Sequence, residues 1–191
     1  EYEKLDIKIC LNKIDLAEEQ EVNQIYNIYD KAGYCIIKTS TKTKEGIGLL
    51  KEALEGNITV FAGPSGVGKS SLLNKVDTSL ELMTGKVSKK TARGKHTTRH
   101  VELIDLGSES YVLDTPGFSS LNLDFIESEV ELSRYFKDIN KYSEKCKFIG
   151  CLHHKEPDCE VKKQVEVENI DRTRYKNYVS FLEEIRNIRR Y

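Results

Sequence analysis

One run of residues constrains this chain more than any other: Gly63-Pro64-Ser65-Gly66-Val67-Gly68-Lys69-Ser70. It follows the apolar run 58–62 and leads into Ser71 and a leucine pair, which predicts a strand, a turn and a helix start in that order. Glycine permits backbone angles and close approaches that a side chain would block, so successive N–H groups can face phosphate oxygens at the positive end of a helix. Lys69 would reach the β- and γ-phosphates, and the Ser70 hydroxyl would bind Mg²⁺. We therefore predict a phosphate-binding loop that extends to Ser71; the alternative is a glycine-rich turn that carries Lys-Ser by chance.

Composition sets broad limits on the class of protein. The chain has 191 residues, 32% of them charged, and a formal net charge of −1, so a buried core is feasible and no overall charge points to nucleic acid. No apolar run approaches membrane-spanning length and no signal peptide is visible, so we expect no membrane partner and a cytoplasmic location. The chain begins at Glu1, without methionine and in a charged stretch, which suggests that an N-terminal portion is missing.

Two polar loops follow the first two predicted strands, 5–11 and 34–38. The first loop reads Asn12-Lys13-Ile14-Asp15. A carboxylate there can accept hydrogen bonds from the N1–H and 2-amino groups of guanine, a donor pair that adenine lacks, so Asp15 would select the base. Alone this pattern is a weak signal, because a polar loop could contain it by chance. The second loop reads Ser40-Thr41-Lys42, and its backbone N–H groups would contact the base from the neighbouring strand end.

Two further loops come after the phosphate-binding loop. The span 82–101 contains six Lys and Arg residues and no acid, which predicts either a solvated basic loop or a loop ordered by phosphate and RNA. Thr97 and Thr98 precede a predicted strand at 101–104, where a hydroxyl would close on Mg²⁺ and the γ-phosphate. After the next predicted strand, 110–113, Asp114 would hold a magnesium-bound water and the N–H of Gly117 would contact the γ-phosphate.

Together, these segments resemble the signature segments of translation-factor-type GTPases in rotated order. The guanine-type loops come first and the phosphate-binding loop follows, as in the circularly permuted GTPases. The run 94–100, together with a cysteine and histidine group near the C-terminus, narrows the resemblance to the bacterial small-ribosomal-subunit-dependent GTPases, the RsgA family. The resemblance implies an α/β P-loop NTPase fold, with a permuted GTPase domain over residues 1–120 and a small α-helical zinc-binding domain over residues 121–191. It also implies that the family's N-terminal OB-fold barrel is absent here.

The same resemblance implies an activity and partners. The activity is hydrolysis of GTP to GDP and phosphate, with Mg²⁺ held by Ser70, Thr98 and, through water, Asp114, in a late step of small-subunit maturation that the subunit stimulates. The implied partners are GTP or GDP, the small ribosomal subunit and its 16S rRNA, and the protein is expected to be a monomer. Two alternatives stay open: a GTP-dependent rRNA-binding module in which hydrolysis is incidental, and an ATPase, which would require Asp15 to be uninvolved.

The residue that positions the attacking water needs a separate argument. Ras-like enzymes use a glutamine just after the Asp-x-x-Gly loop, and this chain has Phe118 there. His96 is the candidate catalytic residue, because it lies in the loop predicted to close over the phosphates and the resemblance associates that histidine with hydrolysis. The alternative is that His96 only contacts RNA or a phosphate, since a histidine among Lys and Arg also suits a backbone-binding loop.

Three of the five cysteines and a histidine predict a metal site near the C-terminus. Their spacing is Cys-x4-Cys-x-His-x5-Cys, formed by Cys146, Cys151, His153 and Cys159. This set matches a closed tetrahedral zinc site, which would be structural because protein fills all four positions. The resemblance favours His153 over His154, and so small a segment would fold only with the metal bound. The remaining cysteines, Cys10 and Cys35, are predicted to be inert core residues.

The C-terminal stretch 170–191 is predicted to be a helix. Tyr175, Val179, Leu182 and Ile185 fall on one face, which is typical of core packing. The basic residues of this helix either contact rRNA directly or form a solvated charged face, and the sequence favours neither reading.

Overall fold

The computed structural model describes residues 5–80, 82, 102–114, 123 and 125–188, with the backbone alone at residues 102 and 114. Over these ranges the chain alternates strands and helices at first and is helical afterwards. The elements in chain order are β1 (Lys8–Asn12), α1 (Glu19–Lys31), β2 (Cys35–Thr39), α2 (Ile47–Leu54), β3 (Ile58–Phe61), α3 (Lys69–Val76), β4 (Glu102–Asp105), β5 (Tyr111–Asp114), α4 (Lys137–Ser143), α5 (Glu160–Glu166) and α6 (Arg172–Ile188). Two 3₁₀ helices, Ile14–Leu16 and Glu129–Tyr135, follow β1 and precede α4.

The strands form two sheets. β1 pairs with β2, and the other sheet has the order β3-β5-β4. β5 runs parallel to β3 and antiparallel to β4, with Phe61 opposite Asp114 in the parallel pair. The carboxyl ends of β3 and β5 therefore lie side by side, and the predicted phosphate-binding loop begins at this edge.

The described residues divide into two compact units. The first unit contains residues 5–9, 20–36, 123 and 125–188, and the second contains residues 10–19, 37–80, 82 and 102–114. α1 therefore belongs to the same unit as the C-terminal helices, although the sequence places it among the nucleotide loops. Sequence order does not reveal this grouping, because it depends on packing between residues far apart in the chain.

The second unit is built on one apolar core between α2, α3 and the β3-β5-β4 sheet. The apolar positions of α2 and α3 recur at helical spacing, so each helix turns one stripe of side chains inward. The buried members of this core are Ile37, Leu50, Leu54, Leu72, Leu73, Val76, Ile104 and Val112. α2 begins tightly against β2, because a Cβ on Gly46 would overlap the carbonyl oxygen of Lys38 and Gly46 has a φ of +68°. Only glycine fits there without strain.

The first unit has its own core under α6. The buried members of this core are Leu123, Ile126, Leu132, Phe136, Ile139, Cys151, Cys159, Val161, Ile170, Tyr178, Leu182 and Ile185. A buried ion pair lies at its edge, where Arg174 donates to Asp138 from Nε at 2.9 Å and from Nη2 at 2.6 Å. The same guanidinium stacks over the rings of Tyr29 and Tyr34 at 5.7 and 5.4 Å. These contacts join α1 and the turn after it to α6.

Several sequence predictions differ from the structure. Cys35 is exposed, so its assignment to the core is wrong; as the first residue of β2, it lies at the strand's exposed start. Cys10 is half-buried against the core, as expected. Residues Glu129–Tyr135 form a 3₁₀ helix. The sequence does not predict α4 and α5, because each is only two turns long and lacks a clear apolar stripe. No helix in the described part is long and apolar enough to cross a membrane.

Candidate functional site

The loop between β3 and α3 has the backbone that its glycines predict. Gly66 and Gly68 have φ of +81° and +102°, a region that other residues rarely adopt, and a Cβ on Gly68 would overlap Nδ2 of Asn12. α3 begins at Lys69, directly after Gly68, with Ser70 and Ser71 in its first turn. Lys69 Nζ donates to the carbonyl oxygens of Gly63 and Pro64 at 2.8 and 3.2 Å. The ammonium group therefore lies over the loop, where an incoming phosphate would compete with two weakly basic carbonyls.

The loop after β1 contacts the phosphate-binding loop directly. Asn12 Nδ2 donates to the carbonyl oxygen of Val67 at 2.8 Å, and Lys13 Nζ donates to that of Gly66 at 2.7 Å. Lys13 has a left-handed backbone, with φ of 67°, which turns the chain sharply at the end of β1. Thr39, fully buried in β2, donates from Oγ1 to Asn12 Oδ1 at 3.1 Å. Asn12 is therefore fixed by β2 and in turn holds the phosphate-binding loop.

The loop after β2, which begins at Ser40, is joined to the loop after β1 through the Ser40 side chain. Ser40 is fully buried, and its Oγ donates to Asp15 Oδ1 at 2.6 Å. The same Oγ accepts hydrogen bonds from the backbone N–H groups of Lys42 and Thr43 at 3.2 and 3.1 Å. Ser40 thereby folds the turn that contains Thr41 and presents the Asp15 carboxylate in one orientation. Ile14 and Asp15 lie together in the 3₁₀ helix after β1.

The structure describes only part of the remaining predicted site. The backbone of Asp114 ends β5 opposite Phe61, the last residue of β3, so it lies at the start of the phosphate-binding loop. The side chain of Asp114, together with His96, Thr97, Thr98 and Gly117, lies outside the described residues. The loops after β1, β2 and β3 are thus brought together in the second unit. The backbone of Asp114, where the loop after β5 begins, lies beside the end of β3. The sequence does not indicate the role of the buried Thr39, because no motif distinguishes one threonine within a five-residue strand.

The predicted cysteine and histidine group also comes together. The ligand atoms of Cys146, Cys151, His153 and Cys159 all lie within 4.8 Å of one another. His153 Nδ1 is 3.4 Å from the sulfurs of both Cys146 and Cys159, and those two sulfurs are 3.8 Å apart. A tetrahedral zinc ion, with Zn–S near 2.3 Å and Zn–N near 2.0 Å, separates two sulfurs by about 3.8 Å and a sulfur from a nitrogen by about 3.5 Å. The donor set therefore fits zinc in its chemistry, and the separations among Cys146, His153 and Cys159 fit a tetrahedral site in size.

Burial affects the histidine and the cysteines of this group in different ways. Burial raises the pKa of the Cys151 and Cys159 thiols and lowers the pKa of the His153 imidazole. The imidazole is therefore neutral near pH 7, which is the form that binds metals. Ionisation of a buried thiol costs free energy because the thiolate is poorly solvated. A divalent metal ion beside the sulfurs would offset that cost.

The loop that carries the cysteines and histidine is held by residues that the sequence did not mark as part of the site. Glu156 accepts hydrogen bonds from the backbone N–H groups of Leu152 and His154 at 2.8 and 3.0 Å. Burial raises the pKa of Glu156, but the hydrogen bonds from these and neighbouring backbone N–H groups together lower it by more. The pKa of Glu156 is therefore below its ordinary value. From α6, Tyr175 donates to the carbonyl oxygen of His153 at 2.8 Å, and Tyr178 donates to that of Leu152 at 3.1 Å. The loop is thus tied to the core from both sides.

The sequence matches the RsgA GTPase family over residues 1–124. A protein of Alkaliphilus metalliredigens (strain QYMF), named small ribosomal subunit biogenesis GTPase RsgA, is 48% identical over 191 residues, which are 100% of this chain and 65% of that protein. A protein of the same name from Clostridium beijerinckii is 47% identical over 185 residues, 97% of this chain and 63% of that protein. The chain thus spans less than two thirds of the length of these relatives.

Two crystal structures share the fold. YjeQ from Thermotoga maritima aligns with a TM-score of 0.77 and 39% identity over 95% of this chain and 60% of that chain. YloQ, described as a circularly permuted GTPase, aligns with a TM-score of 0.71 and 42% identity over 94% of this chain and 56% of that chain. The predicted fold class, an α/β P-loop domain in permuted order with a helical C-terminal part, is confirmed.

Proposed function

The chain belongs to the RsgA GTPase family, and we propose that it hydrolyses GTP to GDP and phosphate where the loop after β1 meets the phosphate-binding loop. The observation that carries the proposal is the pair of hydrogen bonds from Asn12 and Lys13 to the carbonyl oxygens of Val67 and Gly66. These bonds support it because a single guanine nucleotide needs a base-selecting group and phosphate-binding N–H groups close together.

Each part of this site has a distinct task in the proposal. Asp15, oriented by Ser40, accepts hydrogen bonds from the guanine base, and the backbone around Thr41 and Lys42 contacts the base from the other side. The N–H groups from Gly63 to Ser71 and the Lys69 ammonium bind the phosphates. Ser70, Thr98 and, through water, Asp114 would hold Mg²⁺, which neutralises charge on the phosphate oxygens. Thr97 and Gly117 complete the surroundings of the γ-phosphate.

His96 is proposed to orient the attacking water. The proposal rests on the chain having Phe118 where Ras-like enzymes have a glutamine, and on the position of His96 within the basic loop. A neutral imidazole can accept a proton from the water and so orient a lone pair of the water oxygen toward the γ-phosphorus. The competing role for His96 is contact with RNA or a phosphate.

Zinc at Cys146, Cys151, His153 and Cys159 is proposed to be structural. The support is the match between the observed sulfur and nitrogen separations and those of a tetrahedral zinc site. Four protein ligands leave no open position for substrate, so we assign this site no step in hydrolysis. Its task is to fix the loop that connects α4 to α5.

The biological partner is proposed from the relatives. Proteins 47% to 48% identical to this chain are named small ribosomal subunit biogenesis GTPases. We propose that this chain acts in the cytoplasm, as a monomer, in late maturation of the small ribosomal subunit, and that the subunit with its 16S rRNA stimulates hydrolysis.

Phosphate release tests this proposal. The rate from GTP is measured with the 191-residue chain alone and with purified small ribosomal subunits, and ATP is run in parallel. We expect slow release from GTP alone, a clear increase with subunits and none from ATP. GTP-dependent binding to subunits without faster release would instead favour a binding module in which hydrolysis is incidental, and equal release from ATP would favour an ATPase.

The role of His96 is tested in the same assay. His96→Ala is expected to reduce subunit-stimulated release by about 100-fold, in the range typical of a lost acid–base group. His100→Ala removes a histidine from the same loop and is the matched control, with the stimulated rate retained. If His96→Ala keeps the stimulated rate, His96 does not position the water.

A further inference from the structure

A basic and aromatic segment lies at the surface of the first unit, next to the metal-binding group. It comprises residues 141–149, from the last turn of α4 into the following loop, and we call it the lysine-aromatic segment. Its exposed or half-exposed members with basic or apolar side chains are Lys141, Tyr142, Lys145, Lys147, Phe148 and Ile149. Neither the nucleotide site nor the metal-binding group uses any of these side chains.

The ammonium groups of this segment are largely free to bind another anion. Lys141 and Lys145 both place Nζ over the ring of Tyr142, at 5.4 and 5.6 Å from its centre. Among the residues that the structure describes, neither lysine forms an ion pair. Lys147 is paired with Asp158 at 3.4 Å, but both side chains are more than half exposed, and such pairs contribute little. Glu144 is the only acid within the segment.

The tip of the segment exposes apolar side chains on a firm support. Ile149 is fully exposed, and Phe148 has 42% of its surface exposed. Cys146 anchors the middle of the segment in the metal-binding group, and turns close from Lys145 N to Tyr142 O at 3.1 Å and from Cys146 N to Ser143 O at 3.2 Å. Exposed apolar groups on a fixed loop are typical of a contact surface.

The basic residues of α6 offer a weaker alternative. Arg174 is only 11% exposed and is paired with Asp138, and Arg186 donates to Glu129 at 2.8 Å. These two arginines already stabilise the fold through these carboxylates, so binding an RNA phosphate would break an ion pair within the protein. Arg172 and Lys176 of α6 are exposed as well, so charge alone does not separate the two surfaces; the exposed Phe148 and Ile149 beside the lysines favour the lysine-aromatic segment.

We propose that the lysine-aromatic segment is an RNA-binding surface, and this inference rests on the proposed function, which supplies ribosomal RNA as the partner. Lys141, Lys145 and Lys147 bind backbone phosphates, while Phe148 and Ile149 pack against an unstacked base. Spaced ammonium groups next to an exposed aromatic ring are the combination that single-stranded and irregular RNA requires. A protein partner would more often present an apolar core with few lysines.

Two sets of variants of the 191-residue chain test this surface. One set is Lys141→Gln/Lys145→Gln/Lys147→Gln and, separately, Phe148→Ala. The matched control removes three exposed lysines from α2, α3 and α5, as Lys51→Gln/Lys75→Gln/Lys163→Gln. Binding to purified small subunits and to protein-free 16S rRNA is measured over a range of salt concentrations. Zinc content and basal GTP hydrolysis are measured on each variant to confirm that it is folded.

The expected result separates charge from stacking. The triple lysine variant should bind both probes at least tenfold more weakly, with the slope of log affinity against log salt reduced by about two to three. Phe148→Ala should weaken both about tenfold with little change in that slope. The control should bind like the unmodified chain.

Three other outcomes overturn the inference. If the variants bind like the control, the segment does not contact RNA. If they lose the subunit but not protein-free 16S rRNA, the segment contacts a ribosomal protein. If the unmodified chain binds neither probe, the proposed ribosomal partner fails as well, and the RNA surface fails with it.

Discussion

At the scale of single residues, Asn12 connects the two halves of the proposed nucleotide site. Its amide nitrogen holds the phosphate-binding loop through Val67, and its amide oxygen accepts from Thr39. Together with Lys13, which donates to the Gly66 carbonyl, this side chain holds the base-selecting loop against the phosphate-binding loop.

Asn12→Ala is therefore expected to weaken GDP binding about tenfold, the effect of losing one or two hydrogen bonds that position a site. Asn57→Ala is the matched control, because Asn57 Nδ2 donates to the nearby Glu55 carbonyl at 2.8 Å, before β3 begins. Titration of each variant with GDP gives the affinities. Equal affinities for the two variants would show that Asn12 does not organise the site.

The metal-binding group allows an equally direct comparison between neighbouring histidines. His153→Ala is expected to lose bound zinc and to lower the melting temperature, since the imidazole faces two sulfurs at 3.4 Å. His154→Ala should keep the zinc, because only the backbone N–H of His154 bonds within the loop, to Glu156. Zinc is measured per chain by elemental analysis. Retention of zinc by His153→Ala, or its loss from His154→Ala, would contradict the ligand assignment.

Residue chemistry made much of this site predictable. Glycine spacing marks the phosphate-binding loop and cysteine spacing marks the metal-binding group, because both depend on positions close together in the sequence. Glu156 and Tyr178 escaped prediction, since their hydrogen bonds to the cysteine loop depend on how the loop folds back and on helix packing. The prediction that Cys35 is a core residue is wrong for a related reason. Apolar neighbours in the sequence do not determine which face of a strand is covered.

At the scale of elements, α2 shows how strongly one position can determine a helix start. Gly46 precedes the helix with φ of +68° and no room for a Cβ, because the Lys38 carbonyl of β2 lies against it. Gly48 lies two residues further on, inside α2, and has open space where a Cβ would be. The same substitution at these two positions should therefore have opposite effects.

Gly46→Ala is expected to destabilise the second unit by about 2 kcal/mol or more, from the strained backbone and the overlap with Lys38. Gly48→Ala should stabilise it by about 0.5 kcal/mol, because alanine loses less backbone entropy in a helix. Thermal unfolding of both variants beside the unmodified chain measures the two shifts. A lower melting temperature for Gly48→Ala would contradict the open space at that position.

Most long elements could be predicted from the sequence, and the short ones could not. The periodicity of α1, α2 and α6 gives their type and approximate bounds, and α2 and α6 each turn an apolar stripe toward a core. α4 and α5 are too short for that pattern. The 3₁₀ geometry of Glu129–Tyr135 also escapes periodicity, because both helix types place apolar residues three apart over so few turns.

At the scale of the whole molecule, chain order and spatial grouping differ. The domain boundaries proposed from the sequence, 1–120 and 121–191, remain a prediction. In the structure, residues 20–36 belong to the same compact unit as the C-terminal helices, with Tyr29 and Tyr34 packed on Arg174. Local sequence patterns carry no information about such long-range packing. The rotated order of the loops, in contrast, was readable from the sequence because each loop has its own motif.

The central claim is that loops far apart in this rotated order form one guanine nucleotide site, and titration with a fluorescent GDP analogue tests it most directly. We predict one binding site per chain, displacement by GDP and GTP but not by ADP, and at least tenfold weaker binding in both Asp15→Asn and Lys69→Ala. Asp15→Asn should recover affinity for a xanthine nucleotide, whose 2-oxo group can accept from an amide. Unchanged GDP affinity in Asp15→Asn, or displacement by ADP as effective as by GDP, would contradict the account.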